Sequence, residues 1–212
     1  EPTDPPETNW AVEYDVEPIR VRDPVAEALA VLESGEPFVI DYRDVVVAAG
    51  HSCPTAAGAF RLTQLGLDAL YPDDYPVRGD VAVTAGGPTD DPTYGVASRL
   101  VSFVTGAAEA DGFGGLAGGH GGRQDLLTFG AFGGAEGPAF RFERTGTGDT
   151  VEVTYRVADV PDAGPATQYL PKLIDGTATL EERAAFAEAW HGRVRRVLAD
   201  DTLFLVEALD GE

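Results

Sequence analysis

Hard chemistry in this chain rests on four side chains: three histidines, His51, His120 and His191, and a single thiol, Cys53. Two of the four sit in one tripeptide, His51-Ser52-Cys53, and Pro54 follows where the pattern predicts the first turn of a helix. Residues two apart in an extended stretch point to opposite sides, so joint chelation by His51 and Cys53 requires a turn. A loop feeding a helix N-terminus supplies that turn, and its unpaired backbone N–H groups and the helix dipole favour anionic sulfur. A thiolate beside an imidazole suits a borderline-soft metal, zinc first, with nickel, cobalt and iron as competitors. The plain alternative is a buried structural cysteine next to a surface histidine.

The surrounding pattern predicts the elements that must position these residues. Residues 1–9, rich in proline and acid, read as a solvated arm. Trp10 to Val21 reads as an edge strand or extended arm, with Pro18 arguing against a central strand. Asp23-Pro24 opens a helix that Gly35 stops, and a second helix runs from about Pro54 to Leu70 with an apolar face. A strand over 78–85 and a helix over 92–105 follow. After the glycine-rich stretch 112–122 come three strand-like runs, 125–129, 139–144 and 150–156, the last two joined by a turn at Gly146 and Gly148. A linker spans 161–171. The last helix opens on a capping box, Thr179 with Glu182, and its apolar positions from Ala184 to Leu198 predict docking on the core. Residues 200–209 read as a final strand or a second helix. The expected fold is α+β: an αβα unit, then three antiparallel strands in a mixed sheet, with the C-terminal helix packed on it. The expected division is an arm over 1–22, a metal-binding core over 23–160, and a linker with the docking helix over 161–212.

Composition excludes several functions. With 36 Asp and Glu against 15 Lys and Arg, the formal charge is −21. Nucleic-acid binding by displaced counterions needs the opposite sign. All but one of the cations are arginine, Lys172 being the exception, and Met is absent. Such a surface suits molar salt, where a Debye length of ~3 Å screens self-repulsion; an ordinary acidic cytosolic protein is the alternative. A high-salt cytoplasm is the expected location. No apolar run approaches the roughly 18 residues of a membrane span. One cysteine allows neither an internal disulfide nor a four-thiolate metal site. The chain opens on Glu1 rather than Met and shows no charged-then-apolar leader, as a processed, trimmed or partial chain would.

The stretch Gly50-His51-Ser52-Cys53-Pro54-Thr55-Ala56-Ala57-Gly58-Ala59-Phe60-Arg61, running into a helix, resembles the signature G-H-x-C-P-G-x-x-x-G-x-R of the FmdE-like family of formylmethanofuran dehydrogenase proteins. The strand and helix over 78–105 correspond to that family's second αβ unit. Gly118-Gly119-His120-Gly121-Gly122-Arg123-Gln124-Asp125-Leu126 stands where the family carries G-C-T-x-G-K-x-N-L, and the hairpin through Ala139-Phe140-Arg141-Phe142 follows. The resemblance covers roughly residues 35–200. Here Gly119 replaces the family's cysteine, Arg123 its lysine, and the C-terminal zinc ribbon of many members is missing.

The resemblance implies that His51 and Cys53 are metal ligands, with His120 replacing the lost cysteine by a one-residue shift. Three ligands leave a fourth position open for water or substrate. His191 is an extra ligand if the last helix delivers it, and otherwise a boundary histidine. The glycines of 112–122 lack a G-K-[ST] ending and precede a strand, so they read as turns that carry His120 rather than as a phosphate loop. Tyr42, Asp44, Arg61 and Arg123 flank the motifs and can line the same cavity, Arg61 holding an anionic small molecule. Asp125 can orient an imidazole. The expected function is a zinc-binding protein of this kind, tied to oxidoreductase or C1-type metabolism and pairing as a homodimer through its N-terminal arm. A heme or redox-metal protein using Cys53 or a histidine as axial ligand is the second reading. A non-catalytic partner-binding module with a decayed metal site is the third.

Overall fold

The computed structural model describes residues 8–134 and 136–209. Helix boundaries follow from side chains that satisfy the first backbone N–H groups. Asp41 accepts from Arg43 and Asp44 to start α2 (Tyr42–Ala49). Asp91 accepts from Thr93 and Tyr94 to start α4 (Pro92–Thr105), and the expected capping box of Thr179 and Glu182 opens α6 (Leu180–Ala199). The helix α3 (Pro54–Leu70) has the expected bounds, with Cys53 in the capping position.

The helix expected to run from Pro24 to Gly35 ends much sooner. It forms α1 (Pro24–Ala28), and Ala30 takes a left-handed conformation at φ 55°. Only Ala26 of α1 is buried, so no core face exists to hold further turns.

Five strands form one sheet in the order β4 (Leu127–Phe129), β3 (Val81–Ala85), β5 (Ala139–Arg144), β6 (Thr150–Tyr155), β7 (Phe204–Leu209). The segment 204–209 is thus a strand, and it runs antiparallel beside β6. The first of the three runs expected to be antiparallel is not: β4 pairs with β3 in parallel. The chain leaves β3, returns through α4, and so enters β4 in the same direction, as a helical crossover requires. The antiparallel set is β3, β5, β6 and β7. A two-stranded ribbon of β1 (Ile19–Val21) and β2 (Phe38–Ile40) stands apart. The fold is α+β with a mixed sheet and helices on it, as expected.

One sheet face is polar: Thr128, Thr84, Arg141, Glu152 and Glu207 lie in a row across the strands. The other carries Val83, Phe140, Phe142, Val151 and Val153 into the core. Against it lies α3, flanked by α4 and α6. The first half of α6 leaves the core, so Ala184 and Ala185 are exposed and burial begins at Val194. The short α5 (Leu170–Ile174) joins it in a hairpin held by Lys172 to Glu182. Among the described residues no helix is long and apolar enough to cross a membrane.

The approach of α3 to the sheet depends on two glycines. A Cβ on Gly58 would lie 2.3 Å from Tyr155, and one on Gly66 2.5 Å from Phe142. Both rings are buried, at 2% and 0% exposure, and have no room to withdraw. Alanine gains roughly 1 kcal/mol in helix propensity over glycine, but overpacking a closed core costs about 1–3 kcal/mol. Gly58→Ala and Gly66→Ala are therefore expected to lower the urea midpoint at unchanged slope, a net loss of up to about 2 kcal/mol.

Candidate functional site

Gly50, left-handed at φ 74°, ends α2 and turns the chain into His51-Ser52-Cys53. His51 is exposed, and its Nδ1 lies 3.0 Å from the Ala49 carbonyl oxygen. Cys53 is half-buried, and its Sγ accepts the Ala56 N–H at 3.4 Å, which makes the thiol a helix cap. Ser52 between them is held on two sides. Its hydroxyl pairs with the Tyr42 hydroxyl at 3.0 Å, and its carbonyl accepts the indole N–H of Trp190 at 2.8 Å. Burial pushes the Tyr42 hydroxyl above the ordinary phenol range, although its bond to Ser52 opposes that, so it stays protonated.

The C-terminal helix therefore docks on this loop. Next to Trp190, the Nδ1 of His191 lies 3.0 Å from the Tyr14 hydroxyl of the N-terminal arm, and Tyr14 meets Tyr42 edge-on at 4.9 Å. Burial, then the nearby Arg195, holds His191 below the usual imidazole range. From below, the Tyr155 hydroxyl donates to the Pro54 carbonyl at 3.3 Å.

His120 is somewhere else. Thr55, in the first turn of α3, and Thr93 and Tyr94, in the first turn of α4, line one pocket, so these helices begin at the same end of the layer. Arg78 marks the other end, donating to the Val104 and Phe103 carbonyls at the end of α4. Arg78 also pairs with Asp23, and His120 Nε2 lies 3.3 Å from the carbonyl of the next residue, Pro24. The 14 residues of α4 span about 21 Å at ~1.5 Å each, so His120 stands on the order of 20 Å from Cys53. Gly118 and Gly119, both left-handed, do supply turns around His120, but they deliver it to α1. Among the described residues no three His, Cys, Asp or Glu gather to hold a metal ion. Tested against zinc, which takes three protein ligands in open sites and four in closed ones, the loop offers only His51 and Cys53.

The flanking residues also serve the scaffold. Asp44 completes the α2 cap by accepting the Asp41 N–H. Arg61 binds Gln64 and Asp201. Asp125, left-handed at φ 59°, lines a cavity with Thr89 and Glu109 rather than facing an imidazole. Arg123 pairs with buried Asp23 at 2.5 Å, on the oxygen that Arg78 meets at 3.4 Å. The second oxygen of Asp23 accepts the Val25 and Ala26 N–H groups and starts α1. This clasp is not legible in the sequence, where Asp23-Pro24 signals only a helix start.

Besides the cavity at Asp125, two further hollows lie among the described residues. A groove of about 900 Å³ runs between α4 and β4, and a pocket of about 240 Å³ lies where α3 and α4 begin, walled by Gly133, Gly134 and Gly137. Neither is lined by Cys53 or a histidine. Compared with protein-family models and with curated proteins, the chain gives no match.

Burial alone would raise the Asp23 carboxyl, but Arg123, the Ala26 N–H, Arg78 and the Val25 N–H outweigh it and hold the group below the usual carboxylate range. A carboxyl depressed in the folded state contributes stability above its unfolded pKa of ~3.9 and loses it as pH falls through the lower folded value. Asp23→Asn leaves two partly buried guanidinium groups unpaired, at a cost of about 3 kcal/mol near neutrality. Urea unfolding at pH 7 should show that gap, and repeating it below pH 4 should show the gap closing.

Proposed function

We propose that the chain is a non-catalytic binding module on an FmdE-like scaffold, in which the His-Ser-Cys loop is a joint between arm, core and C-terminal helix. The observation that carries this reading is the separation of His120 from His51 and Cys53 by the length of α4. Engagement of the loop points the same way, with Ser52 held by Tyr42 and Trp190 and with Cys53 capping α3.

A second reading has one observation in its favour. Metal-bound histidines commonly donate one ring N–H to a backbone carbonyl, and the bond of His51 Nδ1 to Ala49 frees Nε2 in that way. In this reading zinc, or nickel or iron, binds between two copies of the chain, each supplying His51 and Cys53, and the homodimer serves an oxidoreductase or C1-type system. Elemental analysis after zinc loading and removal of excess metal separates the two. The binding-module reading expects far less than half a zinc per chain, with Cys53→Ser folded and unchanged in mass. Half a zinc or more per chain, lost together with dimer mass in Cys53→Ser, establishes the second reading instead.

The acidic surface we assign to life in a high-salt cytoplasm. Glu207 stands opposite Glu152 on β7 and β6, but Arg141 pairs with Glu152 at 2.8 Å, so the assignment rests on the formal charge of −21, whose self-repulsion salt screens. The urea midpoint should rise steeply between 0.1 and 2 M KCl, and a flat response overturns the assignment.

A further inference from the structure

The helix layer stops short of one edge of the sheet. There α4 and the outermost strand β4 enclose the 900 Å³ groove, with Val96 of α4 and Leu127 and Phe129 of β4 as its apolar walls. β4 is paired on one side only. The Val83 N–H donates to Leu126, and the Gly130 N–H to Ala85, so Leu126, Thr128 and Gly130 face β3. Leu127 and Phe129 turn their backbone groups to the free edge. The Leu127 N–H is taken by the Ala108 carbonyl. Among the described residues this leaves the Leu127 carbonyl and both backbone groups of Phe129 for another strand.

Charge selects the occupant. Asp90, Asp91, Glu109 and Asp111 line the groove, with Arg99 the one cation among its described lining residues. Four acidic residues among fourteen exceed the 36 in 212 of the chain, so the groove is more acidic than the sequence as a whole. We propose that this edge takes a basic partner segment in extended form. Its backbone adds a strand to β4, its alternate apolar side chains lie on Leu127 and Phe129, and its arginines or lysines meet the acidic rim. Strand addition supplies affinity through main-chain hydrogen bonds and specificity through alternate side chains, while rim charge rejects acidic segments. This rests on the binding-module reading and names the partner's chemistry.

The test uses the full chain in 0.5 M KCl with a fluorescein-labelled hexapeptide alternating arginine and valine, read by anisotropy. The expected result is binding at least tenfold tighter than for the same peptide with glutamate in place of arginine, and at least tenfold tighter than for one methylated on alternate backbone nitrogens. Glu109→Gln with Asp111→Asn should weaken binding fivefold or more. Phe129→Pro removes an N–H that faces away from β3 and should weaken it similarly. Absence of binding up to millimolar peptide, equal binding of the arginine and glutamate peptides, or indifference to N-methylation overturns the proposal. So does competition by argininamide as effective as by the unlabelled peptide, which would mark a site for a small cation. The zinc measurement reads a different site, so the failure of one reading is distinguishable from the failure of the other.

Discussion

The close approach of α3 to the sheet is the contact from which the rest of the molecule hangs. Gly58 and Gly66 let the helix backbone rest on Tyr155 and Phe142, and a central helix seated this low offers flanks on both sides. One flank receives α4 and the other α6. The same contact fixes the height of the loop before Pro54, because the Tyr155 ring that fills the place of a Gly58 side chain also donates its hydroxyl to the Pro54 carbonyl. The position of Cys53 is thus set by packing beneath it, and the Trp190 and Tyr42 hydrogen bonds to Ser52 then close the loop from above.

A second constraint works at the opposite end of the helix layer. Asp23 holds Arg78 and Arg123 while capping α1, and Arg78 in turn holds the carbonyls that end α4. Three distant stretches of chain meet there: the entry to α1, the start of the β3 segment and the glycine-rich loop. The buried carboxylate tolerates its desolvation because Arg123 and Arg78 pair with it and the Ala26 and Val25 N–H groups share the load. Arg123, at the end of the glycine-rich loop, is tied to Asp23 two residues before Val25, against which Gly121 packs.

The regular elements were legible because their signals are local. Pro92 behind Asp91, Thr179 with Glu182, and the apolar face of 54–70 mark boundaries that need no knowledge of the tertiary fold. The parallel setting of β4 was not legible, since strand direction depends on how α4 returns the chain. Nor was the short α1, whose pattern Val25, Ala28, Leu29, Leu32 is helical but meets no core to bury it. The site was legible in its parts rather than in its assembly. His51 and Cys53 fall where the sequence put them, on a loop at a helix N-terminus. His120 lies two linear motifs away, and linear order does not say at which end of the helices a motif lands.

That last point decides how the acidic edge and the His-Ser-Cys loop divide the molecule. At the loop, hydroxyl, indole and carbonyl groups are matched to partners within the chain, so a ligand arriving there must displace bonds that already exist. At the β4 edge the situation is reversed, since the Leu127 carbonyl and the Phe129 backbone groups are among the strong hydrogen-bonding groups of the fold yet face outward unpaired among the described residues. Sheets ordinarily blunt such an edge with lysine, proline or a covering element. β4 is short, which itself limits wrong pairing, but it carries neither lysine nor proline and sits beside a groove with apolar walls. Its acidic rim blunts the edge against this chain's own copies, which carry the same negative charge, while leaving it open to a segment of opposite charge. In molar salt, where the Debye length is ~3 Å, only charges at contact range still act, so partner selection falls to the acidic groups of the rim itself.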